Sequence, residues 1–208
     1  MSHNCFISFK KEDVFYKNKI AEKLESIGIP FNVLDKKIES DDIDYVIQKI
    51  REDYMKNTTV TIFLIGTHSS EYEGIDLDGY NHQSYIIREL RATLLDKKGS
   101  PRDGLLGVVL PEMYGVVFKG TYECSHCHQT IEHVNINPST VVKEFCENYY
   151  LVKDDCDHYG YDGRFCVAVK YEDFMEKPEK YIDQAFKKTN EPISKKVHFR
   201  DITHDGKY

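Results

Sequence analysis

The chain has 208 residues, of which 40% are apolar and 30% charged, which suits one cored domain and not a disordered chain. Its formal net charge of −7 argues against a nucleic acid or an anionic membrane surface as partner, since both select a basic face. No segment approaches the roughly 20 apolar residues of a membrane helix, and the N-terminal apolar stretch, about five residues, is too short for a secretory leader, so a cytoplasmic protein is expected.

Residues 4–9, NCFISF, form a short apolar run expected as a buried strand. Tyr16, Ile20, Leu24 and Ile27 then recur at steps of four and three, the mark of an amphipathic helix, which Gly28 closes. IPFNVLD (29–35) is the second strand. A helix follows it, with Ser40 or Asp41 as N-cap and Ile43, Ile47, Ile50 and Tyr54 as its apolar stripe. TTVTIFLIG (58–66), nearly all apolar or β-branched, is the third strand. A polar loop runs from Thr67 to about Asn81 and leads into a helix that carries Ser84, Tyr85 and Glu89, with Ile86, Leu90 and Leu94 as a separate apolar stripe. GLLGVVLPE (104–112) and RFCVAVKYEDF (164–174) are the fourth and fifth strands. PEKYIDQAFKKT is the last helix, with Pro178 in its first turn.

Continuously apolar strands alternating with helices predict an α/β fold: a flavodoxin-like, doubly wound, parallel five-stranded sheet covered on both faces, in one domain spanning 1–208. Residues 112–163 break the rhythm. They are polar and rich in cysteine and tyrosine, and are expected as an insertion before the last strand, with a helix near PSTVVKEFCENYY.

Open parallel sheets bind ligands beyond the carboxyl ends of their strands. The segments expected there are KKED, DKKIES and THSSEYEG, with the start of the Glu89 helix beside the last of them. A glycine-rich dinucleotide fingerprint and a phosphate-binding P-loop are both absent from the sequence, which argues against a redox nucleotide cofactor. The third strand ends in LIGTHSS, without the aspartate a phospho-receiver needs. Glu89 is therefore either a working acid of this cleft or a surface acid paired with a lysine. Asp35, at the end of the second strand, is placed either to touch a ribose or to serve a turn or helix cap.

Three segments in order, CFISFKKED, NTTVTIFLIGTHSS and SYIIREL, resemble a TIR domain, and more narrowly the bacterial TIR-like domain of the NAD-consuming sensor in Thoeris anti-phage defence. The likeness covers residues 4 to about 111 well and the final strand and helix loosely. The family's helix motif is a tryptophan, three residues, a glutamate and an aliphatic residue; here Tyr85 stands for the tryptophan, and Glu89 and Leu90 complete it. The loop EYEGIDLDGYNH before this helix is long, a second departure. The resemblance implies that Glu89 is the catalytic carboxylate of an NAD⁺ glycohydrolase or cyclase. Phe9, Lys10 and Lys11 would line the pocket, with the lysines toward the phosphates and Phe9 or Tyr85 stacked on a ring. Ser84 and Tyr85 join Asp35 as further substrate contacts. NAD⁺ would be substrate and not cofactor, and the product a diffusible ADP-ribose-derived nucleotide, linear or cyclic, that activates a separate effector. A phage-derived trigger and self-association through TIR surfaces are implied as well, with 36–42 as the contact loop. Two alternatives stand beside this: a non-enzymatic TIR adaptor, and an enzyme like the nucleoside deoxyribosyltransferases.

The six cysteines, at 5, 124, 127, 146, 156 and 166, are expected as reduced thiols or metal ligands. In CSHCHQTIEH, Cys124 and Cys127 have metal-knuckle spacing, and Cys146, Cys156, His158 or Cys166 could complete a tetrahedral site. One CxxC pair is weak support, so unligated thiols are favoured over a structural zinc held by Cys124, Cys127, Cys146 and Cys156.

Overall fold

The computed structural model describes residues 3–36, 38–71 and 84–200, with Ser84 described only as helical backbone. Five strands, β1 (Cys5–Ser8), β2 (Phe31–Val33), β3 (Val60–Ile65), β4 (Gly104–Val109) and β7 (Val167–Lys170), form one parallel sheet in the order β2-β1-β3-β4-β7. This is the flavodoxin-like order of a doubly wound sheet. The insertion holds a separate antiparallel hairpin, β5 (Phe118–Glu123) with β6 (Thr130–Val134).

Although the strands are apolar throughout, their side chains sort by parity between two cores. Cys5 and Ile7 of β1, Ile62 and Leu64 of β3, and Leu106 and Val108 of β4 pack against α1 (Val14–Ser26), α6 (Tyr171–Glu176) and α7 (Pro178–Lys188) through Ile20, Leu24, Phe174, Ile182 and Ala185. On the opposite face Phe6 meets α2 (Ile43–Lys49), and Phe63, Ile65, Leu105 and Val109 meet α3 (Ser84–Leu94) and α5 (Lys143–Tyr149). The short helix α4 (Tyr114–Val117) leads from β4 into the hairpin.

Local chemistry accounts for the element ends. Gly28 has φ 73°, and the amides of Ile27, Gly28 and Ile29 bond back to Leu24 and Glu25, so α1 stops where a left-handed residue is free of steric cost. The N-cap of α2 is Asp42, not Ser40 or Asp41: its Oδ1 accepts from the Tyr45 amide at 3.0 Å, while Ser40 Oγ accepts from the Asp42 amide. The stripe expected through Tyr54 leaves the α-helix at Ile50 and continues as a π-turn over Ile50–Tyr54. In that turn Arg51 is buried and donates to Asp103 Oδ2 at 2.8 Å, which in turn accepts from Thr58. The fifth strand is also shorter than its apolar run. Chain after Lys170 turns into α6, whose first turn carries Glu172 and Asp173, acids favoured at a helix N-terminus.

The insertion also supplies core. Helix α5 covers the sheet between β4 and β7, with Phe145 fully buried and its ring centroid 5.7 Å from that of Phe63. Gly107 of β4 makes this approach possible, since a Cβ there would lie 2.5 Å from the Phe145 ring. Buried Glu144 accepts from Arg91 of α3 at 2.9 Å and from Arg200 at 2.6 Å. Asn148 exchanges hydrogen bonds with the backbone of His198. Substituting Phe145→Ala is expected to cost about 3–5 kcal/mol, by loss of transfer energy and the cavity left over Gly107, measured by equilibrium denaturation.

Candidate functional site

The opening turns of α3 meet the carboxyl end of β1. The only polar side chain of CFIS is Ser8, which shares a sheet face with Phe6 and therefore points toward α3 rather than α1. Its hydroxyl donates to Glu89 Oε2 at 2.6 Å, and both side chains are buried, Glu89 at 6% exposure. Below this pair the Thr93 hydroxyl bonds the Glu89 carbonyl at 2.9 Å and lies 2.7 Å from the Thr61 hydroxyl of β3, so the turn carrying the acid is tied to two strands. Glu89 has no ion-pair partner among the described residues.

Burial pushes the Glu89 carboxyl up to about 8, against the opposing effect of the Ser8 hydrogen bond, which favours the charged form. A buried carboxylic acid without a cation beside it holds its proton near neutral pH. It becomes an anion when a positive charge enters next to it.

A second buried acid sits at the same sheet edge on the α1 face. Asp13 is pushed up to about 6 by burial and by Glu12 and Glu112, with His68 and Lys10 opposing. Gly66, just beyond β3, makes room for it, since a Cβ there would lie 2.4 Å from its carboxyl oxygen.

The other expected site residues are spread more widely. Phe9 is half-buried and packs on the α1 core, with the Lys17 ammonium 5.5 Å from its ring, so it lies on the sheet face opposite Glu89. Lys10 is half-buried and Lys11 exposed at the turn that opens α1. Tyr85 is partly buried; its hydroxyl lies 3.4 Å from the Ile38 carbonyl and its ring beneath Arg88 at 5.4 Å. Asp35 is exposed and hydrogen-bonded to Tyr54, whose phenol is raised by burial and then by Asp35. The Ser84 side chain, Lys37 of the suggested contact loop, and 72–83 of the loop preceding α3 lie outside the described residues. A cavity of about 480 Å³ lined by Gln48, Arg51, Leu95 and Ser100 opens near the amino end of the sheet, away from Glu89.

Sequence reasoning placed Glu89 near the carboxyl ends of the strands and missed Ser8, although one hydroxyl ending an apolar strand was a usable signal. It also grouped the cysteines incorrectly. Cys146 is buried in the α3–α5 core, with its thiol 3.7 Å from the Lys143 carbonyl, while Cys124, Cys127 and Cys156 converge with His158. Cys5 and Cys166 are buried in the core, as a packing role predicts.

Residues 6–78 match the family described as "Thoeris protein ThsB, TIR-like domain". That span runs from β1 through β3 and ends before α3, so it does not include Glu89. No curated protein and no solved structure matches the chain.

Stability should carry the mark of Glu89. Its folded-state value lies above the ordinary 4.5, so between about 4.5 and 8 the native state keeps a proton the unfolded chain has released, and stability falls as pH rises through that window. The slope for one proton is at most about 1.4 kcal/mol per pH unit. Asp13 and Asp103, both raised to about 6, add to the lower part. Denaturation of Glu89→Gln across the same range is expected to lose the slope between about 6 and 8 and to keep below it only the share of Asp13 and Asp103.

Proposed function

We propose that this chain, a ThsB-like TIR-domain protein of the Thoeris type, is an enzyme that cleaves the nicotinamide–ribose bond of NAD⁺ with Glu89 as its catalytic carboxylate. The observation that carries this is the buried acid itself: one carboxyl group, hydrogen-bonded to Ser8, with no cation paired to it among the described residues, at the strand ends where parallel sheets bind ligands.

The chemistry follows from charge. Nicotinamide is cationic while bonded to ribose and leaves as a neutral base, so positive charge moves onto the sugar as the bond breaks. A carboxylate fixed in a water-poor setting favours that oxocarbenium-like state over the ground state. Entry of the cationic substrate also favours loss of the Glu89 proton, and the Ser8 hydroxyl is placed to donate to the anion formed. Thr93 and Thr61 hold the α3 backbone in register as positioning residues. Lys10 and Lys11, at the mouth of the β1–α1 turn, face the pyrophosphate in this reading. Stacking on a ring falls to Tyr85, because Phe9 packs on the other face. Capture of the ribosyl cation by water, by the adenine of the same molecule or by another nucleophile gives an ADP-ribose-derived signal for a separate effector. A phage-derived trigger and self-association through TIR surfaces would set when the site works.

Mass spectrometry of extracts from infected cells provides the test. Wild-type chain is expected to deplete NAD⁺ and to yield an adenine nucleotide that Glu89→Gln, at equal abundance, does not. Unchanged NAD⁺ loss in Glu89→Gln removes the assignment, and products from deoxynucleosides alone point to glycosyl transfer instead.

Where turnover is measured on purified protein, kcat/KM should rise with pH through about 8, because the ionised acid is the working form. Ser8→Ala should lower kcat/KM about ten- to a hundredfold and move that ascending limb to higher pH, since the anion loses its donor.

A further inference from the structure

Outside the candidate site, four side chains of the insertion close on one another. The ligand atoms of Cys124, Cys127, Cys156 and His158 all lie within 4.8 Å of each other. A tetrahedral zinc with Zn–S bonds of about 2.3 Å has sulfur–sulfur edges of about 3.8 Å, so closing onto an ion needs only small side-chain movements. We propose that Cys124, Cys127, Cys156 and His158 bind one Zn²⁺ in a closed tetrahedral site that fastens the β5–β6 hairpin to the 154–158 loop.

The backbone on both sides is shaped for this. Cys124 directly follows β5, and its sulfur accepts from the His126 amide at 3.4 Å, a donor that offsets thiolate charge. The Cys124 carbonyl accepts from the His128 amide, and the Cys124 amide donates to the Gln129 carbonyl. His128, directly after Cys127, has φ 56°, the left-handed turn that swings the chain back into β6 and leaves both sulfurs on one side. On the facing loop Asp154 Oδ1 accepts from the amides of Cys156 and His158, each at 2.9 Å, and Asp157 takes φ 67°. This tight loop presents a Cys-x-His pair toward the knuckle.

His158 supplies a second observation. It is 9% exposed, and its Nδ1 is buried without a hydrogen-bond partner, 3.4 Å from Asp154 Oδ2. A buried imidazole with an unmet nitrogen beside three thiols completes the donor set of a metal site. Three sulfurs and one nitrogen suit Zn²⁺ over the hard cations Mg²⁺ and Ca²⁺. On binding, the three thiols release their protons, and no redox step is involved. All four positions are filled by protein, so the ion is structural. It would compensate for a hairpin whose strands are mostly exposed and which has little apolar core of its own. The proposal is independent of the catalytic reading: loss of zinc acts on the insertion, and loss of Glu89 acts on turnover.

The test is metal content and its effect on the intact chain, purified without chelator and under reducing conditions. Elemental analysis and native mass spectrometry are expected to give one zinc per chain. Chelation should lower Tm by several degrees and sensitise 118–134 to protease, and added Zn²⁺ should restore both. Cobalt should give the intense visible absorption of a tetrahedral thiolate site. Cys124→Ser and Cys156→Ser should lose the metal, Cys146→Ala should keep it, and His158→Cys should keep zinc with an altered cobalt spectrum. Less than a tenth of an equivalent of zinc together with no uptake by the reduced wild-type chain overturns the proposal, as does a disulfide among the three cysteines in place of metal. Zinc retained at full content in both serine variants overturns the ligand assignment.

Discussion

A parallel sheet has no face it can leave to water. Its strands here are apolar on both sides, so every strand-to-strand crossover must lay a helix across one face or the other, and any gap would leave Phe63, Leu105 or Val109 exposed. The crossover from β4 to β7 is the long one, and it meets the requirement with α5, taken from within the insertion. Phe145 sits on Gly107 because that glycine has no Cβ, and the same helix carries Glu144 and Asn148, which tie α3 and the C-terminal residues to it. The insertion is thus part core and part appendage: α5 belongs to the sheet, while the hairpin stands outside it.

The same covering of both faces determines the electrostatics of the candidate site. Helix α3 presents Ile86, Leu90 and Leu94 to the sheet, and a helix that packs this closely carries with it whatever lies at the edge of its apolar stripe. Glu89 is drawn under by its neighbours and meets Ser8 at the last residue of β1. Burial raises the acid's proton affinity, the serine moderates it, and a cationic ligand would reverse it. The contrast with Glu144 is instructive. Both acids are buried, but Glu144 is paired with Arg91 and Arg200 and serves the fold, whereas Glu89 faces a neutral hydroxyl.

Much of this was legible in the chain. The apolar runs, the period-3.6 stripes and Gly28 located the five strands of the sheet and its main helices, because those signals act through nearest neighbours and burial averages. Misses came where local chemistry competed with hydrophobicity. The apolar run 164–174 turned into α6 once its acids reached a helix start, and the π-turn at Ile50 brought Arg51 to Asp103, a partner far along the chain. The hairpin of the insertion was missed because FKGTYE and TIEHV have weak apolar alternation and stay mostly exposed.

What the amino-acid order alone determined is the layered α/β architecture and the placing of Glu89 at the carboxyl edge, since both follow from periodicity and from the rule that parallel strands are buried. Which groups meet across the chain was decided only by tertiary structure. Ser8 instead of Phe9 reaches Glu89 because strand parity sends the two residues to opposite faces. His158 instead of Cys146 joins Cys124, Cys127 and Cys156 because α5 turns Cys146 into the core. Spacing along a sequence limits what a segment can become, but a hydrogen bond or a metal-ligand set depends on distances of a few ångströms between segments, and those are fixed only when the packed layers set every side chain's direction.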